Sequence, residues 1–329
     1  NSLDLLGSWS GAGEPDDVVT LLQGVKNVLS DDTKINFSQG CALNDDDSSG
    51  FDDAVNAALN SDAVILAVGE DRGMSGEAAS RTSLDIPGVQ LKLMQRINEE
   101  LNEQGEGKPL IVVLMNGRPL TINWVSGNIP AIVEAWFLGD QAGNAIAKVL
   151  FGDYNPSGKL PVTFPRSTGQ IPVFYYQKHT GRPFDADDKY TSKYLDSPNT
   201  PLYPFGYGLS YTTFNYDKIN VDKKIISKDE IINASVDLTN SGNYEGEEVV
   251  QLYIRDEYAS VTRPLKELKG FQKINLKPGE TKKVNFQITP DQLSFYGVDM
   301  KPVIEPGIFT LMIGGNSVDL IETSFEVVE

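Results

Sequence analysis

Cysteine, histidine, cationic charge and long apolar runs are all scarce in this 329-residue chain. The single cysteine, Cys41, permits neither an internal disulfide nor a cysteine-built zinc site, and reads as a small, partly buried side chain. The single histidine, His179, would have to serve any Ser-His-Asp triad, but no Gly-x-Ser-x-Gly elbow accompanies it. It reads as an ordinary hydrogen-bonding residue. The longest apolar runs, 63–68 and 110–115, fall far short of the ~20 residues that cross a bilayer, so no membrane helix is expected. Lys and Arg total 28 against 46 Asp and Glu, so 28 − 46 = −18, a balance that repels nucleic acid and anionic lipid. Half of that charge, 2 − 11 = −9, lies within residues 1–60, and it reads as a solubilising surface. The first residues, Asn1-Ser2-Leu3-Asp4, carry neither an initiator Met nor a basic stretch leading into an apolar one, the expectation for a chain processed or cut from a longer one.

Apolar residues at 40% and charged residues at 22% are ordinary globular values, and the length predicts about two domains. Residues 1–165 alternate short apolar runs with amphipathic stretches, the pattern of an α/β domain with a mostly parallel sheet between helices. Six strands are expected, near 5–9, 34–38, 63–68, 110–115, 132–137 and 160–164. Helices are expected over 17–29, 51–59, 89–101 and 139–150; in the third, Val89, Leu93, Ile97 and Leu101 recur every four residues. Residues 166–214 lack periodicity, yet hold 7 of the 13 tyrosines, which predicts a connector packed against something rather than a disordered one. From 215 to 329, alternating runs such as 234–238, 249–254, 283–288 and 309–313 are separated by Asn240-Ser241-Gly242, Lys277-Pro278-Gly279 and Glu305-Pro306-Gly307, the signature of an all-β sandwich.

Ligands of open parallel sheets bind beyond the carboxyl ends of the strands. The segment after the third expected strand, 69–82, is therefore the first site candidate. It holds Glu70, Asp71 and Glu77 with Arg72 and Arg81 among small residues, a composition suited either to polar recognition or to a solvated loop. Residues 45–50 place acids and Ser at the first, third and fifth positions of a calcium loop. The twelfth is Asn56 where a bidentate Glu is needed, so a solvated loop and helix cap are expected. The first expected strand is not followed by Gly-x-Gly-x-x-Gly, and there is no P-loop, which argues against nucleotide binding.

Gly69-Glu70, Ser75-Gly76-Glu77, Arg81 and Ile86-Pro87-Gly88-Val89-Gln90 together resemble the acid/base loop of glycoside hydrolase family 3. Matches in the same order continue through Leu5-Leu6-Gly7-Ser8-Trp9, Asn116-Gly117-Arg118-Pro119, Ala135-Trp136-Phe137, Gly152-Asp153-Tyr154-Asn155-Pro156, Tyr203-Pro204-Phe205-Gly206-Tyr207-Gly208 and Arg263-Pro264-Leu265. They cover nearly the whole chain and are most similar to bacterial β-glucosidases and their xylosidase-like relatives. The resemblance implies a six-stranded mostly parallel α/β sandwich over 1–165 and a fibronectin type III-like sandwich over 215–329. It also implies that an N-terminal barrel carrying the aspartate nucleophile precedes Asn1.

On that resemblance Glu77 is the general acid/base of a retaining, exo-acting β-glycosidase, with β-glucosidase the expected activity on terminal non-reducing sugars. Such a residue protonates the departing oxygen and later takes a proton from water. Asp71, Arg72, Met74 and Arg81 are the candidate substrate contacts. Each has a structural alternative: Asp71 and Glu70 orienting the loop, Arg72 and Arg81 pairing with nearby acids, Met74 packing. The expected partners are a β-glucoside or oligosaccharide and the barrel of the same enzyme, with no nucleic acid, membrane, metal or cofactor. Export to the periplasm or medium is implied by the resemblance alone. A non-catalytic carbohydrate-binding or scaffold module of the same fold is the rival expectation.

Overall fold

The computed structural model describes residues 4–104 and 107–329, which divide into two compact units. One runs to Tyr154 and adds Pro165–Ile171; the other comprises Asn155–Phe164 and Pro172–Glu329.

The first unit contains four of its helices and three of its strands where they were expected and one helix, α4, that was not: α1 (Leu21–Val28), α2 (Phe51–Leu59), β1 (Val64–Gly69), α3 (Gln90–Gln104), β2 (Leu110–Met115), α4 (Asn123–Asn128), β3 (Ala131–Glu134) and α5 (Ala142–Leu150). The strands form a parallel sheet in the order β1-β2-β3, with Val64 opposite Leu110 and Ile111 opposite Ala131. Val112 and Val113 in the central strand are fully buried, because helices cover both faces of a parallel sheet. Leu21 and Val25 of α1 and Ile146 of α5 form a core with Val113 and Ala135. The two helices touch backbone to backbone: a Cβ on Gly24 would lie 2.0 Å from the Gly143 carbonyl oxygen. α1 starts at its cap, Thr20, whose hydroxyl accepts from Gln23 N at 3.3 Å, and so is shorter than its apolar pattern.

The α/β class stands, but the expectation of six strands is corrected to three among the described residues. Residues 4–6 form a 3-10 turn that buries Leu5, and Gly7 turns the chain at a φ of +74°. Residues 34–38 find no ladder, and the Asn36 amide donates to Asn60 O and Ser61 Oγ instead. Residues 160–164 belong to the second unit and pair antiparallel with 202–207, through Leu160 N to Tyr207 O at 2.8 Å and Phe164 N to Tyr203 O at 2.9 Å. Pro161 and Pro165, which lack N–H donors, keep that pairing short.

The second unit is the sandwich. β4 (Phe214–Val221), β6 (Ile232–Asn240) and β9 (Thr281–Ile288) form one sheet in the order β4-β6-β9. β5 (Ile225–Ser227), β7 (Gly246–Asp256), β8 (Glu267–Leu276), β12 (Gly307–Gly314) and β13 (Leu320–Val328) form the other, in the order β5-β13-β12-β7-β8. A two-stranded pair, β10 (Phe295–Tyr296) with β11 (Pro302–Val303), completes the strands. Inward residues such as Val236, Leu238, Leu252, Leu311 and Phe325 make one core. The aromatic connector packs within this unit. Tyr175 stacks on Phe205 at 4.4 Å and meets Tyr253 edge-on, while Lys159 and Tyr216 both reach Oε1 of the buried Glu248 at 3.0 Å.

Candidate active site

β1 ends at Gly69, whose φ is +139° and whose Cβ, if present, would lie 1.9 Å from the Met115 carbonyl oxygen. Only glycine fits there. The Gln90 side chain at the start of α3 clamps this strand end, accepting from Gly69 N at 2.9 Å and donating to the carbonyls of Gly69, Leu43 and Pro87. The next residue, Glu70, turns its carboxylate inward and is 2% exposed. Its Oε1 is paired with Arg81 at 2.6 Å and with Arg118 at 3.0 Å, and its Oε2 accepts from Gly117 N at 3.2 Å. A carboxylate this buried persists because two guanidinium groups and a backbone donor replace its water.

The loop that follows lies on this buried pair. Asp71 caps the turn Arg72–Met74 through Gly73 N at 2.7 Å. Ser8 Oγ donates to the carbonyls of Arg72 and Ser75, and Arg118 donates to those of Met74 and Ala79. Gly76, at a φ of +101°, fits against Ser8 and Trp9, and a Cβ on Gly117 would collide with Ser75. Glu77 and Ala78 form the exposed crest, and Ala78 is held at a φ of +59°, a conformation that costs a non-glycine residue ~1 kcal/mol. The far end of the loop is tied by Arg81 to Asp85 O at 2.8 Å. Hydrogen bonds from Thr121 and Ser83 hold the Asp85 carboxyl below the usual range.

The expected residues thus take distinct places. Glu77 is exposed at the crest, Met74 is half-buried and held by its carbonyl, and Asp71 serves as the cap. Arg72 is half exposed and 3.9 Å from Asp4, whereas Arg81 spans Glu70 and Asp85 beneath the loop. His179 stands in the second unit beside Arg255 at 3.1 Å. Cys41 is free and half-buried, and burial pushes its thiol up. Asp45 and Asp47 accept backbone N–H groups two residues on, and the loop runs into α2. Among the described residues no group of three His, Cys, Asp or Glu is arranged for a metal ion, and no helix is long and apolar enough to cross a membrane.

Ser8, Asn116 and Arg118 stand within motifs that carry the family resemblance but were given no role by sequence, although Ser8 and Arg118 hold this loop; Glu134 was not singled out. The Asn116-Gly117-Arg118-Pro119 motif just beyond the central strand was the signal for Arg118. Asn116 is fully buried and donates to Arg118 O at 2.7 Å. Glu134, at the end of β3, accepts from Trp136 N at 3.1 Å, and Trp136 adopts a φ of +53°. Burial pushes the Glu134 carboxyl up to about 8, and the negative charge of Glu70 adds to that effect.

A family model described as "Glycosyl hydrolase family 3 C-terminal domain" matches residues 2–211, and one described as "Fibronectin type III-like domain" matches 248–317. The chain is 45% identical to the periplasmic beta-glucosidase of Salmonella typhimurium, over 98% of this chain and 44% of that protein. It is 47% identical to a beta-xylosidase of Formosa agariphila, over 95% of this chain and 42% of that protein. A crystal structure of beta-glucosidase from Listeria innocua superposes with a TM-score of 0.91 at 36% identity, covering 99% of this chain and 44% of that one. The chain therefore spans less than half the length of these relatives.

Proposed function

This chain belongs to glycosyl hydrolase family 3, and from that premise we propose that it is the C-terminal part of an exo-acting, retaining β-glycosidase, with terminal β-glucosides as substrates. Glu77 is its general acid/base, and the aspartate nucleophile belongs to an N-terminal barrel domain of the same enzyme. The observation that carries this reading is the investment of structure around Glu77. A buried carboxylate, two arginines and a serine all serve to hold one exposed loop whose crest is that residue.

A retaining glycosidase needs two carboxyl groups ~5 to 5.5 Å apart, one attacking the anomeric carbon and one protonating the leaving oxygen. Glu77 gives its proton to the departing glycosidic oxygen as the nucleophile forms the glycosyl-enzyme. It then takes a proton from the water that releases the sugar. Both steps require the carboxyl to return to one position, which a loop pinned at residues 72, 74, 75 and 79 supplies. We assign Asp71 and Arg72 to contacts with the leaving group and Met74 to an apolar wall beside it, since all three lie in the same loop as Glu77. An exported enzyme, as the name of the Salmonella relative says of that protein, is the matching location.

The test uses the complete polypeptide with its barrel. Glu77→Ala should lower kcat by about 10²- to 10⁴-fold for alkyl β-glucosides and far less for activated aryl β-glucosides, whose leaving groups need no proton. Azide should restore turnover and yield a β-glycosyl azide. Residues 1–329 alone should show negligible hydrolysis. Unchanged activity in the Glu77→Ala enzyme would mark the chain as a binding or scaffold module instead.

A further inference from the structure

The Arg118 guanidinium does more than neutralise Glu70. Its Nη2 donates to two carbonyls, that of Met74 and, at 2.9 Å, that of Ala79. Those carbonyls stand on either side of Glu77 in the chain, so one nitrogen draws both limbs of the loop together and leaves 75–78 as a closed bulge. A guanidinium Nη carries two N–H groups, one for each limb. Ala78, inside the bulge, sits at a φ of +59°, which an alanine keeps only where its surroundings impose it.

The arginine is itself held on several sides. Its Nε lies 3.0 Å from Glu70 Oε1, its own carbonyl accepts from Asn116 Nδ2 at 2.7 Å, and the side chain is only 18% exposed. Little water therefore competes for its donors. Gly117 brings the turn close enough for this reach, since a Cβ there would collide with Ser75. From the other side, Ser8 takes up the carbonyls of Arg72 and Ser75. The Phe137 ring joins the two braces: a Cβ on Gly7 would lie 3.3 Å from Phe137 Cβ, and one on Gly117 3.1 Å from Phe137 Cε2.

We propose that Arg118 is a positioning residue for the Glu77 carboxyl: by closing the limbs at 74 and 79 onto one nitrogen, it selects the loop conformation from which Glu77 gives up and retrieves its proton. This rests on Glu77 being the acid/base, but the closure of the loop does not. Charge alone cannot fill the role. Arginine meets Glu70 with Nε while Nη2 holds both carbonyls, whereas lysine offers a single nitrogen on a flexible stem.

Two readouts separate positioning from simple stabilisation. In residues 1–329, cleavage after Glu77 by a glutamyl endopeptidase is scored against cleavage after Glu100 within α3, which reports unfolding of the first unit. That ratio should rise at least about tenfold in Arg118→Ala, as the loop opens without the helix. In the complete enzyme, Arg118→Ala should lower kcat/KM at least about thirtyfold for an alkyl β-glucoside and less than about threefold for a dinitrophenyl β-glucoside, whose leaving group needs no proton. Arg118→Lys, which keeps a charge beside Glu70, should recover most of the urea midpoint yet retain the split between substrates. Millimolar guanidinium should narrow the split in Arg118→Ala. Equal losses on both substrates, an unchanged cleavage ratio, or wild-type kinetics in Arg118→Lys would each overturn the proposal. Glu77→Ala is assayed in parallel: absence of the split there, with the loop opened in Arg118→Ala, would refute the acid/base reading and leave the loop closure standing.

Discussion

Replacing Glu70 by Gln keeps the shape of the side chain and removes its charge, and the structure gives the cost. The carboxylate is fully buried, and its two partners, Arg81 and Arg118, have side chains only 20% and 18% exposed. Removing one member of a buried pair costs ~3–5 kcal/mol because the charge left behind has lost its water. Residual exposure of the guanidiniums lets some water return, so the lower end, ~3 kcal/mol, is expected. Trp9, Trp124 and Trp136 are the chain's only tryptophans, and all three lie in the first unit, so their fluorescence in urea follows that unit alone. With a slope of ~2 kcal/mol per molar urea, the midpoint should fall by ~1.5 M. Arg81→Met should be destabilising by itself, and the double substitution should recover at least ~1 kcal/mol relative to the sum of the two. A midpoint shift under ~0.3 M, or strict additivity, would mean that the Glu70 pair behaves like a surface ion pair and does not organise the loop.

Two further outcomes test the packing and electrostatics of each unit. Gly24→Ala forces a methyl to 2.0 Å from the Gly143 carbonyl oxygen; neither backbone can yield without separating α1 from α5, so a loss of ~3 kcal/mol or more is expected by the same tryptophan assay. A loss under ~1 kcal/mol would refute the close approach. In the second unit, burial pushes the Asp256 carboxyl up to about 6 from an ordinary value of 3.8, against the opposing Tyr258 N–H. The folded state therefore binds the proton more tightly: the stabilisation is complete below pH ~4 and disappears as pH rises through about 6. Every tyrosine except Tyr154 lies in that unit, so thermal melts followed by tyrosine circular dichroism between pH 4 and 7 should show a slope that Asp256→Asn flattens. An unchanged slope would exclude Asp256 as its source.

Helix α2 and strand β2 occupy the segments their apolar patterns predict, because a nine-residue amphipathic run and a six-residue apolar run between polar breaks carry their own local signal. The expected strands at 34–38 and 160–164 carried a similar signal and failed for a common reason. A strand exists only where a neighbour offers a ladder, and the partner found by 160–164 is the connector at 202–207 rather than β3. The 69–82 segment stood out by its position after β1 and its acids among small residues, and Glu77 within it was assigned through the family resemblance alone. The role of Arg118 was not legible, since it lies 39 and 44 positions along the chain from the two carbonyls it holds.

The sequence by itself determined where helices α2 and α3 and strands β1 and β2 lie, that the chain is acidic with a single cysteine, and that its 69–82 segment resembles the acid/base loop of its family. Only the tertiary structure decided what the charges of that motif do. Glu70 and Glu77 stand seven residues apart in the same loop, yet one is sealed against Arg81 and Arg118 and the other meets solvent. That division arises because the end of β1 lies beside that of β2, which leads into Gly117 and Arg118, and the burial of a carboxylate depends on the segments folded over it rather than on its neighbours in the chain.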